Sequence, residues 1–382
     1  MLKVVVAQHR LLHYRLAFFD RLHERCATRG IELRLVHGQP SQAEALKKDV
    51  GELSWADVVR NRFARLGGRD LLWQPYPRAL RDADLVVLMQ ENRILSNYPW
   101  LLRLRGPRNQ KIAYWGHGRN LQSTAPAGLR ERWKRWFVRR VDWWFAYTER
   151  TRQILLSDGF EAQRITVLDN AIDNEQFARD LAAVDGARRA QCLARIGAAP
   201  GDPIGLYCGS LYPDKRLDLL IDAGDLIRER EPRFRLVVVG DGSSRAQVTE
   251  AARTRDWLHW VGMQRGVEKA AWFSIANAYL SPGAVGLHVL DAFCAGIPMI
   301  TTDSALHGPE IAYLESGRNG FVVSADARAF ADAYLQAIEP ARFAAIRQAA
   351  FRDAQRYTLD NMVERFIEGI EKCLTTPRLR YS

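Results

Sequence analysis

The residues best suited to chemistry lie in the stretch YLSPGAVGLHVLDAFCAGIPMITTD, Tyr279 to Asp303. Ala278, Tyr279 and Leu280 read as a strand end, and Ser281-Pro282-Gly283 as a turn. A helical pattern then starts near Val285 or Gly286, with Leu287, Leu290 and Cys294 at i, i+3 and i+7, and Gly296 and Pro298 as a stop signal. This predicts a helix of about three turns. Its first turn offers unpaired N–H groups and the positive end of the helix dipole, so Gly283, Ala284, Val285, Gly286 and Leu287 form a candidate cradle for an anion the size of a diphosphate. Gly286 lets the ligand approach the backbone closely. Asp291, about one and a half turns further on, is placed to accept hydrogen bonds from a sugar hydroxyl pair. A strand, turn and helix with one Gly and one Asp also occurs as plain α/β scaffold, so these residues alone leave both readings open.

Two other places carry chemical groups. Lys215 and Arg216 close a loop that starts at Tyr207 and leads from a strand into a helix, where a cation either faces a ligand or forms a solvated pair. His117 stands between Gly116 and Gly118 at the end of a strand, within reach of a ligand or idle in a turn. There is no Asp-x-Asp at a useful strand end and no His/Cys cluster, so the chemistry is expected to be metal-free and to need no cofactor.

Runs of period and punctuation supply the elements that position these groups. Leu2 to Ala7, Ile31 to Val36, Asp84 to Met89, Lys111 to Trp115 and Trp143 to Thr148 read as strands, with a helical pattern from Leu16 to Cys26. The alternation restarts with strands Ile204 to Gly209, Phe234 to Val239 and Leu258 to Val261 and a helix Leu217 to Arg230. Such alternation predicts α/β domains with doubly wound parallel sheets, whose ligands gather at the carboxyl ends of strands. No Gly-x-Gly-x-x-Gly follows the first strand, which removes support for a nicotinamide or flavin enzyme. The stretch from Gln39 to Arg81 stays unassigned, and the polar, Ala-rich Gln176 to Pro203 reads as a hinge.

The 382 residues suffice for two domains, and 47% hydrophobic with 26% charged residues describes a globular protein. No run approaches the roughly 18 apolar residues of a membrane span, and the N-terminus has no signal-peptide layout, so a cytoplasmic location is expected. Five scattered cysteines form no metal or disulfide framework. The net charge of +11 is unevenly placed: residues 1–175 carry 30 Lys+Arg against 19 Asp+Glu, whereas the remainder balances at 25 each. A basic face of this kind suits an anionic membrane, a polyanionic acceptor or nucleic acid.

The order of these motifs resembles the retaining GT-B glycosyltransferases, family 4 in particular. Gly286, Ala292, Gly296 and Pro298 fall in register with the family's nucleotide-binding signature. Asp291 stands at its second acidic position, and Gly283 at its first. Tyr207 to Arg216 resembles the family loop in which an Arg and a Lys neutralise the donor diphosphate. Ser210 stands at the Arg position after Gly209, Lys215 is the matched cation, and Arg216 is a possible stand-in. Gly308-Pro309-Glu310 matches the family segment whose Glu helps to bind near the nucleotide; a helix N-terminal acid is the other reading of Glu310. Family members also carry a His near His117. Asn170 and Asp173 keep the ends of the family's Asn-Gly-x-Asp.

The resemblance implies a GT-B architecture: an acceptor-side Rossmann-like domain over 1–180, a nucleotide-sugar domain over 181–355 and a returning C-terminal helix over 356–382. It implies sugar transfer from a nucleotide sugar to a saccharide or lipid-linked acceptor, as in polysaccharide, lipopolysaccharide or glycolipid synthesis. His117 and Lys215 are the expected catalytic residues, and His9, Arg10, His13 and Arg15 the acceptor-side candidates. A nucleotide-sugar 2-epimerase on the same architecture is the rival reading. Nucleic-acid binding ranks below both, since no recognition motif is present. Leu129 to Arg140, LRERWKRWFVRR, gathers Leu129, Trp133, Trp136 and Phe137 on one helical side among basic residues, which suits peripheral docking on an anionic inner membrane face or burial in the domain's own core.

Overall fold

The computed structural model describes residues 1–45, 49–66, 69–77, 81–104, 107, 109–118, 136–304 and 306–379. Two compact units are present: Met1–Ile172 with Leu359–Ser382, and Asp173–Thr358.

In the first unit, strands β1 (Leu2–Arg10), β2 (Ile31–Gly38) and β3 (Asp57–Val59) precede an antiparallel hairpin of β4 (Arg62–Leu66) and β5 (Arg69–Trp73). Then come β6 (Leu85–Met89), β7 (Lys111–Gly116), β8 (Trp143–Ala146) and β9 (Ile165–Val167). Apart from the hairpin, these strands form one parallel sheet in the order β3-β2-β1-β6-β7-β8-β9. β1 is central because Val4, Val5 and Val6 are covered on both faces, as a buried parallel strand requires. Winding reverses between β1 and β6, which pair from Val4↔Leu85 to Ala7↔Leu88. The hairpin lies in the stretch that sequence pattern left unassigned.

The helix Leu359–Thr375 belongs to this unit. Its apolar stripe of Met362, Phe366, Ile370 and Cys373 is buried, and Phe366 stacks on Phe145 at 4.2 Å. Its C-terminal carbonyls, which lack helical partners, are taken by a buried lysine: Lys111 Nζ donates to Cys373 O at 2.5 Å and Leu374 O at 2.6 Å.

In the second unit, β10 (Ile204–Cys208), β11 (Arg235–Val239), β12 (Leu258–Gly262), β13 (Ala278–Leu280), β14 (Met299–Thr302) and β15 (Gly320–Val323) form a parallel sheet in the order β12-β11-β10-β13-β14-β15. Leu206, Val238, Leu280, Ile300, Phe330 and Tyr334 are among its core residues. The chain switches direction between β10 and β13. The segment expected to be a hinge is helical instead, over Asn174–Ala182 and Gly186–Arg195. Asp173 and Asp185 cap these helices, accepting from Gln176 N at 3.0 Å and Arg188 N at 2.8 Å, and Phe177 packs against Phe273 at 5.2 Å. A polar, Ala-rich composition hid two good helices.

Of the basic segment, residues 129–135 lie outside the described residues. Phe137 and Val138 are buried in the core of the first unit, whereas Trp136 is 42% exposed with the Arg140 guanidinium 3.7 Å from its ring centroid. Among the described residues no helix is long and apolar enough to cross a membrane.

Candidate functional site

The carboxyl ends of β10 and β13 flank the switch point of the second sheet, and the loops 209–216 and 281–287 leave from them. The first loop is pinned through backbone bonds, Gly209 N to Val239 O at 2.9 Å and Leu211 N to Asp241 O at 3.0 Å. Ser210 contributes a carbonyl that is held by the Tyr207 hydroxyl at 2.7 Å. The two loops then meet. A Cβ at Gly283 would lie 2.4 Å from both Asp214 O and Lys215 Cα, and Lys215 Nζ donates to Ala284 O at 3.0 Å. This close approach is why position 283 has no carboxylate: the backbone of the lysine loop fills the space a side chain would need.

Gly286, by contrast, has nothing within 4 Å of where a Cβ would stand. The strand of chain leading to it is rigidly held. Val285 N donates to His307 Nδ1 at 3.1 Å, His307 Nε2 donates to Thr302 O at 2.6 Å, and Gly308 N donates to Val285 O at 2.8 Å. These partners select the neutral Nε2–H tautomer of His307. With residues 284 and 285 committed to such bonds, the helix begins only at His288 and ends at Ala295, two turns rather than three. Gly296, at φ +66°, closes it in the left-handed conformation. Glu310 is buried in the turn Pro309–Tyr313. Its Oε2 lies 2.6 Å from the Cβ position of Gly308, so its placement needs glycine there.

Two expectations change. Asp291 is 8% exposed, and Lys269 Nζ, from the helix Gly266–Ile275, meets its carboxylate at 3.0 Å while lying 4.3 Å from the Phe177 ring centroid. Burial opposes both charges, and the attraction of Asp291 keeps the Lys269 pKa raised. Asp291 is thus one half of a buried pair, with Oδ2 taken by Lys269. Arg216 does not stand in for the missing arginine either. At φ +52° it turns out of the loop and pairs with Asp218 at 3.1 Å, both side chains about half exposed. Lys215, whose neighbouring acid Asp214 is 3.4 Å away and largely exposed, remains the cation of this loop.

In the first unit, Gln90 clamps the turn that carries His117, donating to Gly118 O at 2.5 Å and accepting from Gly118 N at 2.9 Å. A Cβ at Gly116 would strike the Gln90 side chain at 2.6 Å. The His117 ring stays exposed at one side and lies 4.4 Å from Tyr147. The mass of protein around it pushes its pKa down to about 4, Glu91 opposing and Arg15 assisting, so the imidazole is neutral near pH 7.

The acceptor-side candidates are not a bare basic patch. His9 faces Glu44 at 3.1 Å and Glu91 at 3.5 Å, Arg10 bonds Asp49 at 2.5 Å, and Arg93 bonds Glu44 and Glu91 at 2.7 Å each. Burial works against the Glu44 charge, but the bonds from His9, Ser41 N–H and Arg93 outweigh it and hold its pKa below the usual range. His13 is exposed, with Nδ1 3.3 Å from Asp49 O. Arg15 leaves the set: it is 6% exposed, donates to Asn170 Oδ1 at 2.6 Å and lies 5.1 Å from the Trp115 ring centroid, a structural anchor.

Two family models match the chain, Glycosyltransferase Family 4 over residues 17–176 and Glycosyl transferases group 1 over 202–340. The chain belongs to glycosyltransferase family 4. A curated relative, the UDP-N-acetylglucosamine–peptide N-acetylglucosaminyltransferase GtfA subunit of Streptococcus parasanguinis, is 24% identical over 172 residues, 42% of this chain and 34% of the relative. The chain matches less than half the length of its curated relatives. Among solved structures, Anabaena HepE in complex with UDP-glucose is similar at TM-score 0.67 and 14% identity, over 97% of this chain and 100% of that one. A UDP-GlcNAc 2-epimerase of Neisseria meningitidis bound to UDP-GlcNAc is similar at TM-score 0.64 and 14% identity, over the same shares. The fold, two Rossmann-like domains of GT-B type, is therefore shared by transferases and an epimerase.

Several residues of this family 4 chain escaped sequence reasoning. His288 and His307 are brought to the 281–287 loop and Lys269 to Asp291 of the helix that follows it, and Glu44, Glu91 and Arg93 to His9 from two elements. A charge-balance signal existed only for Glu44, three residues after Ser41, a capping-box spacing that Ser41 N and Glu44 Oε2 realise at 2.9 Å.

Proposed function

We propose that this family 4 chain moves a sugar from a nucleoside diphosphate sugar to a saccharide or lipid-linked acceptor, with retention and without a metal. The observation that carries the reading is the junction at the second unit's switch point, where Lys215 is fixed against Ala284 beside the open backbone of Gly286. In the step, the anomeric C–O bond to the diphosphate breaks, a bond to an acceptor oxygen forms, and the acceptor proton leaves with the diphosphate. Lys215 and the N–H groups ahead of the helix 288–295 stabilise the charge that develops on the leaving phosphate. Neutral His117 offers a donor and an acceptor to a sugar hydroxyl.

Thermal melting with UDP-, GDP- and ADP-sugars tests the donor class, with about 2.7 kcal/mol of stabilisation expected at a hundredfold excess over Kd. No shift with any of them overturns the reading. Formation of an epimerised nucleotide sugar in the absence of acceptor moves the protein to the epimerase reading instead.

The same proposal places the protein on the inner membrane face through the basic first unit, supported by the exposed Trp136 and the charge excess of residues 1–175. Basic side chains near an anionic surface contribute about 1 kcal/mol each, so retention on anionic liposomes is expected at low salt and loss at high salt. Failure to co-sediment at low salt removes this part.

A further inference from the structure

The lysine loop leaves a charge deficit. A nucleotide sugar carries two phosphate charges, and the cations around the 281–287 loop are mostly committed elsewhere: Lys269 to Asp291 at 3.0 Å and Arg216 to Asp218 at 3.1 Å. His307 has both ring nitrogens engaged, Nδ1 by Val285 N and Nε2 with Thr302 O. Lys215 is one charge, and Ser210 brings none.

One further titratable group directly follows this loop and reaches back to its first residue, Ser281. His288 is the first residue of the helix 288–295, half-buried, with Nε2 at 3.5 Å from Ser281 Oγ and its ring 5.4 Å from Tyr279. We infer that His288 takes up a proton when the donor's diphosphate enters, and so supplies beside Lys215 the second positive charge that position 210 lacks. This rests on the donor reading proposed above.

The groups around His288 give the sign. Lys215 with Asp214 comes from the loop after β10, Lys269 with Asp291 from the neighbouring helix and His288's own, and His307 from the segment after β14. Buried Glu310 follows in the next turn. Tyr279 and Cys208 are neutral, burial pushing the thiol up to about 12. Without an anion, burial first and then the charges of Lys215 and Lys269 hold the His288 pKa down to about 3, so the ring is uncharged. An opposite charge within about 4–6 Å favours the protonated form by roughly 10- to 1000-fold, and a diphosphate brings two. The proton comes from solvent, and the product is an imidazolium hydrogen-bonded to phosphate. Because only the bound state is protonated, donor affinity rises as pH falls.

The test is titration calorimetry of the full chain with UDP-glucose and with GDP-mannose, whose diphosphate diesters do not titrate near neutrality. Runs at pH 6.5 in two buffers of different ionisation heat count the protons taken up. Uptake of about 0.5–1 proton per donor is expected, with affinity falling up to about tenfold per pH unit between pH 6 and 8. In His288→Gln the uptake should vanish, and affinity should lose its pH dependence and fall below the parental value, most at pH 6. A parental protein that binds without proton uptake, or uptake that persists in His288→Gln, overturns the inference while leaving the donor reading intact. A parental protein that binds neither nucleotide sugar overturns the donor reading, and this inference with it.

Discussion

Lys215→Ala should lower kcat by about 100- to 1000-fold, the usual loss when one fixed group that stabilises developing charge is removed. The lysine is held by Ala284 O at 3.0 Å and is only partly exposed, so its ammonium is positioned before the leaving group acquires charge. Losing that one hydrogen bond costs about 1 kcal/mol of stability, too little to unfold the second unit. Kinetics should therefore change while the melting temperature moves only slightly, with the loss in kcat rather than KM. Lys215→Arg keeps the charge but loses the geometry and should fall between. A kcat within a few-fold of the parental enzyme in Lys215→Ala would remove this residue from the mechanism.

Gly283→Ala should damage the site almost as much, and for a different reason. The new Cβ would stand 2.4 Å from Asp214 O, 2.4 Å from Lys215 Cα and 2.6 Å from Lys215 C, all backbone atoms that no side-chain rotation can move away. The loop 213–215 must retreat, which costs about 1–3 kcal/mol and carries Lys215 off Ala284. Melting should drop by several degrees, and donor affinity or turnover by about 100-fold, as expected for a displacement near 1 Å. Gly283→Glu, which would restore the acidic residue of the family pattern, should be worse than alanine. Parental activity in Gly283→Glu would show that the two loops are not locked together as described.

The same pair of positions shows how far the sequence reaches. The strand-turn-helix at 278–296 and the lysine loop at 207–216 were legible because each is local: apolar period, a turn of Ser-Pro-Gly, a stop at Gly296. The glycine at 283 looked like a missing carboxylate. It is a contact, and contacts between residues some 70 positions apart leave no local trace. Asp291 illustrates the same limit, since its register gave no sign that Lys269, 22 residues away, would meet its Oδ2.

The sequence by itself determined the parallel, doubly wound character of both units, through β-branched runs alternating with helical period, and the resemblance to family 4. It also determined which loops follow strand ends. Tertiary structure decided which charges remain available. Arg15, Lys111 and Lys269 are all cations in the sequence, yet the fold places Asn170, the last helix's carbonyls and Asp291 against them. The physical reason is that burying a charge is costly unless a partner meets it, and the partner is chosen by packing, which brings together residues from different strands and helices without regard to their spacing in the chain.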